Sequence, residues 1–154
     1  MKIKDTVGID MSKLTFDATI HSSQVENQFD NEEKDYKKLI DWAYKNSDLP
    51  KENIIFVFEH TGLYSHSLSV YLASKNIPFL LVPGLEVKQS IGMTRGKSDK
   101  ADAKKIAKYG YRMRDEITPT VLLCEEEQSL KRLLSLRQRL VKQRAGFKSS
   151  LKEQ

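Results

Sequence analysis

The stretch IKDTVGIDMSKLTFDATIHSSQVENQFD, residues 3–30, decides how the chain begins to fold. Three segments in it are rich in β-branched and aromatic residues, namely 3–10, 14–22 and 24–30, and the turn-like pieces MSK and SSQ separate them. Connections this short join antiparallel strands, because parallel neighbours need a crossover of about a dozen residues or more. The opening of the chain is therefore predicted to be a three-stranded antiparallel meander.

The next segments alternate between helix and strand patterns. NEEKDYKKLIDWAYKNS, 31–47, has the apolar stripe of an amphipathic helix, with Asn31 as its predicted N-cap. NIIFVFEHTG, 53–62, contains five consecutive apolar residues before an acid, which is typical of a buried central strand. A helical stretch, 63–76, and an apolar strand, 78–84, follow. This order predicts a βαβ unit with parallel strands.

The rest of the chain is predicted to be mostly helical. We expect a short helix over 85–92, a loop over 92–98, a helix over 99–113 and a long helix in the tail, where leucines recur at coiled-coil spacing. A meander followed by parallel strands and covering helices predicts a mixed α/β sheet with the element order of the ribonuclease H-like fold. We place a first domain at residues 1–122 and the start of a basic coiled-coil helix at 123–154.

The composition excludes several classes of protein. Hydrophobic residues make up 39% of the 154 positions and charged residues 31%. No apolar run approaches the roughly 20 residues of a membrane span, and the N-terminus lacks the apolar core of a signal peptide. The single cysteine, Cys124, cannot form an internal disulfide. We therefore expect a cytoplasmic protein without a membrane partner.

The net charge of +5 is unevenly distributed along the chain. Residues 1–94 carry a net charge of −3 and residues 115–127 carry −5, whereas residues 95–114 carry +6 and residues 128–154 carry +7. Two concentrated basic segments attract polyanions, and phosphate neutralisation dominates affinity for nucleic acid. The alternative explanation is that the lysines merely solvate helix faces.

Four acids are candidates for one shared site. Asp10 and Glu59 each follow an apolar strand, so their carboxylates emerge at one edge if the strands lie parallel and adjacent. A helix that begins at Asp99 could add Asp99 and Asp102, which are three residues apart on one helical face. Two carboxylates about 4 Å apart repel by roughly 4 kcal/mol at an effective dielectric near 20. A divalent cation removes that cost, and an all-oxygen ligand set selects Mg²⁺ or Mn²⁺.

Each of these acids also has a purely structural explanation. Asp10 and Glu59 could be ordinary strand-end or turn acids. Asp99 could be a first-turn helix acid, and Asp102 could belong to an exposed pair on the helix surface. From spacing alone both interpretations stay open.

Three pieces of the sequence together resemble a known family. GIDMSK (8–13), EHTGLY (59–64) and KSDKADAKKIA (97–107) resemble, in order and spacing, the motifs of the DEDD transposases of insertion-sequence family one-hundred-and-ten, which include the Piv and MooV site-specific recombinases. The resemblance covers nearly the whole chain. Carried over position by position, it implies an acidic tetrad at Asp10, Glu59, Asp99 and Asp102.

The resemblance implies a fold, a cofactor and partners. It implies a RuvC-like N-terminal domain that needs Mg²⁺, with Mn²⁺ as a substitute, followed by a coiled coil and a second domain with a serine that acts in strand exchange. It also implies DNA as substrate, homo-oligomers and, in some members, a structured noncoding guide RNA. The sequence ends within the predicted coiled coil, so we expect the 154-residue chain to be inactive by itself in transposition.

Seven basic residues are candidate contacts to nucleic acid. They lie after the first acidic motif, in the predicted loop, on the helix 99–113 and on the tail: Lys13, Arg95, Lys97, Lys100, Lys104, Arg137 and Arg144.

Two other functions compete with a DNA recombinase. One is a non-catalytic module that uses the basic helices to hold nucleic acid in an assembly. The other is an actin-like or sugar-kinase-type phosphotransferase, which also begins with an aspartate after an apolar strand. Those enzymes need small residues after the aspartate so that backbone amides can approach phosphate, whereas Met11, Ser12 and Lys13 follow here. This second alternative is the weaker one.

Overall fold

Five strands and five α-helices make up the computed structural model, which describes residues 2–91, 99–122 and 125–152. The strands are β1 Asp5–Met11, β2 Thr15–Ile20, β3 Glu26–Asp30, β4 Ile54–Glu59 and β5 Phe79–Val82. The helices are α1 Glu33–Lys45, α2 Leu63–Ser74, α3 Gly84–Ile91, α4 Asp99–Met113 and α5 Glu125–Lys152, and a short 3₁₀ turn spans Lys51–Asn53. The chain divides into two compact units, residues 1–121 and residues 122–154.

The strands form one mixed sheet in the order β3-β2-β1-β4-β5. β1 pairs with β2, and β2 with β3, in antiparallel fashion, so the predicted meander is confirmed. β4 pairs in parallel with β1 on one side and with β5 on the other, so the predicted βαβ unit is confirmed as well. Two parallel strands, β1 and β4, therefore lie at the centre of the sheet with their carboxyl ends at the same edge.

Helices cover both faces of the sheet. On one face, the ring of Phe16 lies 6.1 Å from that of Tyr36 in α1, and the Tyr36 ring lies 5.6 Å from that of Tyr71 in α2. On the other face, Val57 of β4 joins a buried cluster with Ile106 of α4. The remaining members of that cluster are Ile3, Ile55, Val82, Val87 and Tyr109. Because side chains alternate along a strand, successive β1 residues face these two cores in turn.

Helix α4 lies directly on β1, and a glycine permits the contact. A Cβ atom at Gly8 would lie 2.1 Å from the backbone nitrogen of Ala107 and 2.3 Å from the carbonyl oxygen of Ala103. The Thr6 hydroxyl donates a 2.7 Å hydrogen bond to the Ala107 carbonyl. A Cβ atom at Gly110 would lie 3.2 Å from Thr6 Cγ2. Since the later part of α4 lies over the earlier part of β1, the helix runs antiparallel to the strand.

The predicted N-cap of α1 is wrong. The cap position is Glu32, without a side-chain cap hydrogen bond. The Asn31 amide instead donates to the carbonyl oxygens of Ser12, at 2.9 Å, and Tyr64, at 3.2 Å, and its oxygen accepts a 2.7 Å hydrogen bond from the Tyr36 hydroxyl. Both the nitrogen and the oxygen of the amide are engaged in this way, so Asn31 connects the β1–β2 turn and the body of α1 to the start of α2 rather than capping α1.

Helix α5 forms the second unit, and the long helix predicted for the tail is confirmed. Its large apolar side chains with described positions are exposed: Leu130, Leu133, Leu134, Leu136, Leu140, Val141 and Phe147. None of the helices in the described ranges is long and apolar enough to cross a membrane.

Candidate active site

Asp10 and Glu59 occupy neighbouring positions at the carboxyl edge of the sheet. The parallel register pairs Gly8 with Val57 and Ile9 with Phe58, so the next residue of each strand brings the two acids to the same level. Neighbouring strands lie about 4.8 Å apart. Both acids lie two residues beyond positions that face α4, and they therefore point to the face that α3 and α4 cover.

A third carboxylate, which the sequence analysis missed, lies in the same row. Asp17 of β2 pairs directly with Asp10 and is 8% exposed. The side-chain amide of Gln28 in β3 lies 3.2 and 3.4 Å from its two carboxylate oxygens. The signal was present in the sequence. A two-residue turn at Lys13 and Leu14 necessarily pairs position 10 with position 17.

Glu59 lies against the start of α3. Its side chain is partly buried, and its carboxylate occupies the space where a Cβ atom of Gly84 would be, 2.6 Å from Oε2. No side chain in the described part of the chain donates a hydrogen bond to this carboxylate. The first backbone N–H groups of a helix have no partner within the helix and favour negative charge nearby. Packing against the start of α3 therefore holds the Glu59 carboxylate in place.

The first turn of α4 lies level with Asp10. Ala103 of α4 lies over Gly8, and Asp10 is two residues further along β1, about 6.6 Å away. A step of one helical turn from Ala103 back towards the start of α4 covers about 6 Å in the same direction as β1 and reaches Asp99. The backbone thus brings the residues 99–102 towards the strand-end acids. The side-chain position of Asp99 lies outside the described structure.

The Asp102 carboxylate forms an ion pair with a lysine of the same helix. The Lys105 ammonium, one helical turn later, lies 2.8 Å from this carboxylate. The Asp102 side chain is 46% exposed and that of Lys105 is 28% exposed. Among the described side chains, no three His, Cys, Asp or Glu groups converge closely enough to hold a metal ion. The donor types still fit a hard divalent cation, because every candidate ligand is a carboxylate oxygen. A complete set of metal ligands requires the Asp102 carboxylate to separate from Lys105, or the Asp99 carboxylate to lie beside Asp10 and Glu59.

The predicted nucleic-acid contacts divide into three groups. Lys13 is exposed at the tip of the β1–β2 turn, three residues after Asp10, and Lys104 is exposed on α4. Arg137 and Arg144 are exposed on α5. Arg95, Lys97 and the side chain of Lys100 lie outside the described structure, as does the rest of the loop predicted over 92–98.

Comparison with solved structures identifies the architecture. The chain is similar to Thermus thermophilus RuvC, with a TM-score of 0.55, 11% sequence identity and coverage of 77% of this chain and 100% of RuvC. RuvC of the same organism in complex with a Holliday junction substrate gives the same TM-score and identity, with 99% of that chain covered. These likenesses confirm the predicted ribonuclease H-like, RuvC-like fold. No curated protein matched the sequence.

A family model for transposases places the sequence more narrowly than the fold does. The model, described as a DEDD transposase of insertion-sequence family 110, matches residues 7–154, which is all but the first six residues. The match agrees with the resemblance carried by the three acidic motifs. The chain belongs to the DEDD transposases of insertion-sequence family 110.

Proposed function

We propose that this transposase domain cleaves DNA phosphodiester bonds at the carboxyl edge of its sheet, with Asp10, Glu59, Asp99 and Asp102 as catalytic metal ligands. The observation that carries the proposal is the parallel register of β1 and β4, which makes Asp10 and Glu59 neighbours on the face covered by α4. The path of α4 over Gly8 supports the inclusion of its first turn. We propose Mg²⁺ as the cofactor, with Mn²⁺ as a substitute, because hard carboxylate ligands select these ions.

In this site the protein supplies fixed negative charge. Asp10 is held by hydrogen-bonded strands on both sides, and Glu59 is held against α3. Divalent ions bound there activate the attacking oxygen and stabilise the leaving oxygen in phosphodiester chemistry. Without metal, the Lys105 ammonium neutralises the Asp102 carboxylate. Once that carboxylate binds a metal ion, the ammonium is available to contact a phosphate.

DNA is the substrate we propose, with strand transfer following cleavage. The family is one of transposases, and the RuvC relative was solved with a Holliday junction substrate. The basic segments 95–114 and 128–154 supply the charge for DNA, and also for the structured guide RNA that some family members use. Candidate phosphate contacts are Lys13, Arg95, Lys97, Lys100, Lys104, Arg137 and Arg144.

Helix α5 is the segment through which we propose that copies of the chain associate. Its exposed leucines need a partner surface, and a second copy of the same helix offers a matching apolar seam. In this proposal residues 1–122 are the catalytic domain and residues 123–154 begin the coiled coil.

Mn²⁺ binding by the purified chain tests the site directly. Electron paramagnetic resonance of free Mn²⁺ would give the affinity of the wild type, Asp10→Asn and Glu59→Gln, with Asp41→Asn, an exposed acid of α1, as the matched control. We expect binding by the wild type and the control and a loss of at least about tenfold in both site variants. If the wild type binds no Mn²⁺ at millimolar concentration yet still binds DNA, the chain is a non-catalytic nucleic-acid module.

A further inference from the structure

Gly84, the first residue of α3, has no conformational reason to be glycine. Among the glycines that the structure describes, Gly62 has a positive φ, 69°, whereas Gly84 does not. Any L-residue can adopt the backbone conformation at Gly84. Glycine costs stability relative to alanine within a helix. Its presence at this position therefore calls for an explanation in packing.

The three atoms that a Cβ atom at Gly84 would approach most closely all belong to one side chain. A Cβ atom there would lie 2.6 Å from Glu59 Oε2, 3.1 Å from Glu59 Cδ and 3.4 Å from Glu59 Oε1. Gly8 is different, because its neighbours are backbone atoms of α4. Gly110 also differs, because its Cβ atom would meet Val57 Cγ2 in the core at 2.8 Å. The missing side chain at Gly84 thus makes room for one carboxylate.

Helix α3 cannot easily retreat from an added methyl group. Val87, one turn into the helix, is buried in the core cluster. The Tyr109 hydroxyl of α4 donates a 3.2 Å hydrogen bond to Glu86, and the Arg112 guanidinium donates a 2.8 Å hydrogen bond to the Ser90 carbonyl. With α3 held at three points, the adjustment falls on the flexible end of the Glu59 side chain.

We infer that Gly84 is the positioning residue for Glu59, and this inference rests on the function proposed above for that carboxylate. By lacking a Cβ atom, Gly84 lets the carboxylate lie over the first turn of α3, on the same face and at the same level as Asp10. A methyl group would displace the carboxylate from this place while leaving the core intact. Gly84 then determines metal affinity through Glu59 without contributing a ligand.

Gly84→Ala in the 154-residue chain tests the inference. We expect Mn²⁺ affinity to fall by about tenfold or more, as when a partner that orients a ligand is lost. The melting temperature without metal should stay within about 2 °C of the wild type, because the closest contacts of the added methyl group are with the movable end of a side chain. Gly146→Ala, where a Cβ atom meets nothing within 4 Å, is the matched control and should change neither quantity except for a small gain in helix stability.

A double-mutant cycle isolates the coupling to Glu59. In a Glu59→Gln background, Gly84→Ala should change the remaining Mn²⁺ affinity by no more than about twofold if its whole effect passes through the carboxylate. An equal loss of affinity in both backgrounds, or a wild-type affinity for Gly84→Ala, overturns the inference. So does a fall in melting temperature like that expected for Gly110→Ala, which would make Gly84 a structural glycine.

A metal-independent measurement separates this inference from the proposed function. The ¹³C resonance of the Glu59 carboxyl carbon, assigned by its loss in Glu59→Gln, should shift in Gly84→Ala and not in Gly146→Ala, at fixed pH without metal. If the wild type fails to bind Mn²⁺ but the resonance shifts, the function proposed for the site fails and the positioning stands. An unshifted resonance refutes the positioning, whatever the metal does.

Discussion

Asp17 lies directly opposite Asp10 in the antiparallel β1–β2 ladder, and Glu59 flanks Asp10 on its other side. Three carboxylates therefore form a row across three neighbouring strands, on the face that α3 and α4 cover. Like charges directly opposite each other destabilise a sheet. The negative charge of this row attracts cations, while in the described structure no three of the acidic groups converge closely enough to hold a metal ion.

Removal of the charge on Asp17 should stabilise the metal-free chain. Asp17→Asn keeps an oxygen that can accept from the Gln28 amide and removes the repulsion with Asp10. We expect a gain of about 1 kcal/mol, which is about 2–4 °C in melting temperature for a chain of this size. The stabilisation by Mn²⁺ should become smaller at the same time. Thermal melts in chelator and in Mn²⁺ measure both, with Asp41→Asn as the exposed control. A lower melting temperature in chelator would contradict the repulsion.

Lys105 should compete with metal for Asp102. Its ammonium group contacts the Asp102 carboxylate at 2.8 Å, so Lys105→Gln frees that carboxylate for a cation. Partly exposed ion pairs contribute about 0.2–1 kcal/mol, so Mn²⁺ affinity should rise by up to about fivefold. Calorimetric titration measures the change.

The neighbouring lysine is a matched control for that experiment. Lys104→Gln removes the same charge from an exposed position on the same helix. It changes the long-range field but no contact with Asp102. An equal change in Mn²⁺ affinity for both variants would show that overall charge, and not the ion pair, is responsible.

Local pattern was sufficient to predict the sheet and two of its acids, because strand periodicity and short turns are properties of neighbouring residues. The same reasoning could have included Asp17, since the turn at Lys13 and Leu14 fixes its partner. The role of Gly84 could not be predicted from the sequence, because it depends on a contact between β4 and α3. The cap prediction for Asn31 failed for the same cause, since its side-chain nitrogen donates to the carbonyl oxygens of Ser12 and Tyr64, which lie in other segments.

Mild acid should destabilise the first unit through His21. Burial lowers the pKa of His21 from its ordinary value of 6.5, and Lys108 and Arg114 act in the same direction, against the carboxylate of Asp5. The ring stacks on Tyr111 with 4.1 Å between centroids. A lowered pKa in the folded state means that the unfolded chain binds the proton more readily. The contribution of His21 is therefore present above about pH 6.5 and is lost as the pH falls through the lowered folded-state pKa.

His21→Phe checks this pH dependence, because it keeps an aromatic ring next to Tyr111 and removes the titrating group. Urea unfolding at pH 5.5 and 7.5 should show a smaller loss of stability on acidification in this variant than in the wild type. An identical loss in both proteins would assign the acid sensitivity to other groups.

Asp102→Asn should abolish DNA cleavage and strand transfer by the transposase while leaving its fold and nucleic-acid binding intact. The substitution is nearly isosteric, but it removes a formal charge from the proposed metal site, so metal binds more weakly and the attacking oxygen is misplaced. Without metal the variant gains little stability, because the wild-type carboxylate is 46% exposed and already paired with Lys105. Loss of that pair costs at most about 1 kcal/mol. Recombination of a supplied donor and target, scored alongside thermal melts with and without Mg²⁺, measures these effects.

The control for this variant is Asp115→Asn. Asp115 also lies near a cation, its neighbour in sequence Arg114 at 3.9 Å, but it is 79% exposed and follows the end of α4, far along the helix from its first turn. Asp115→Asn therefore removes a carboxylate and its long, exposed ion pair without touching the row of acids. Recombination should survive in Asp115→Asn and fail in Asp102→Asn, and only the second should lose its stabilisation by Mg²⁺. Wild-type recombination by Asp102→Asn, with an unchanged response to Mg²⁺, would leave Asp102 as an ordinary surface acid and remove α4 from the catalytic site.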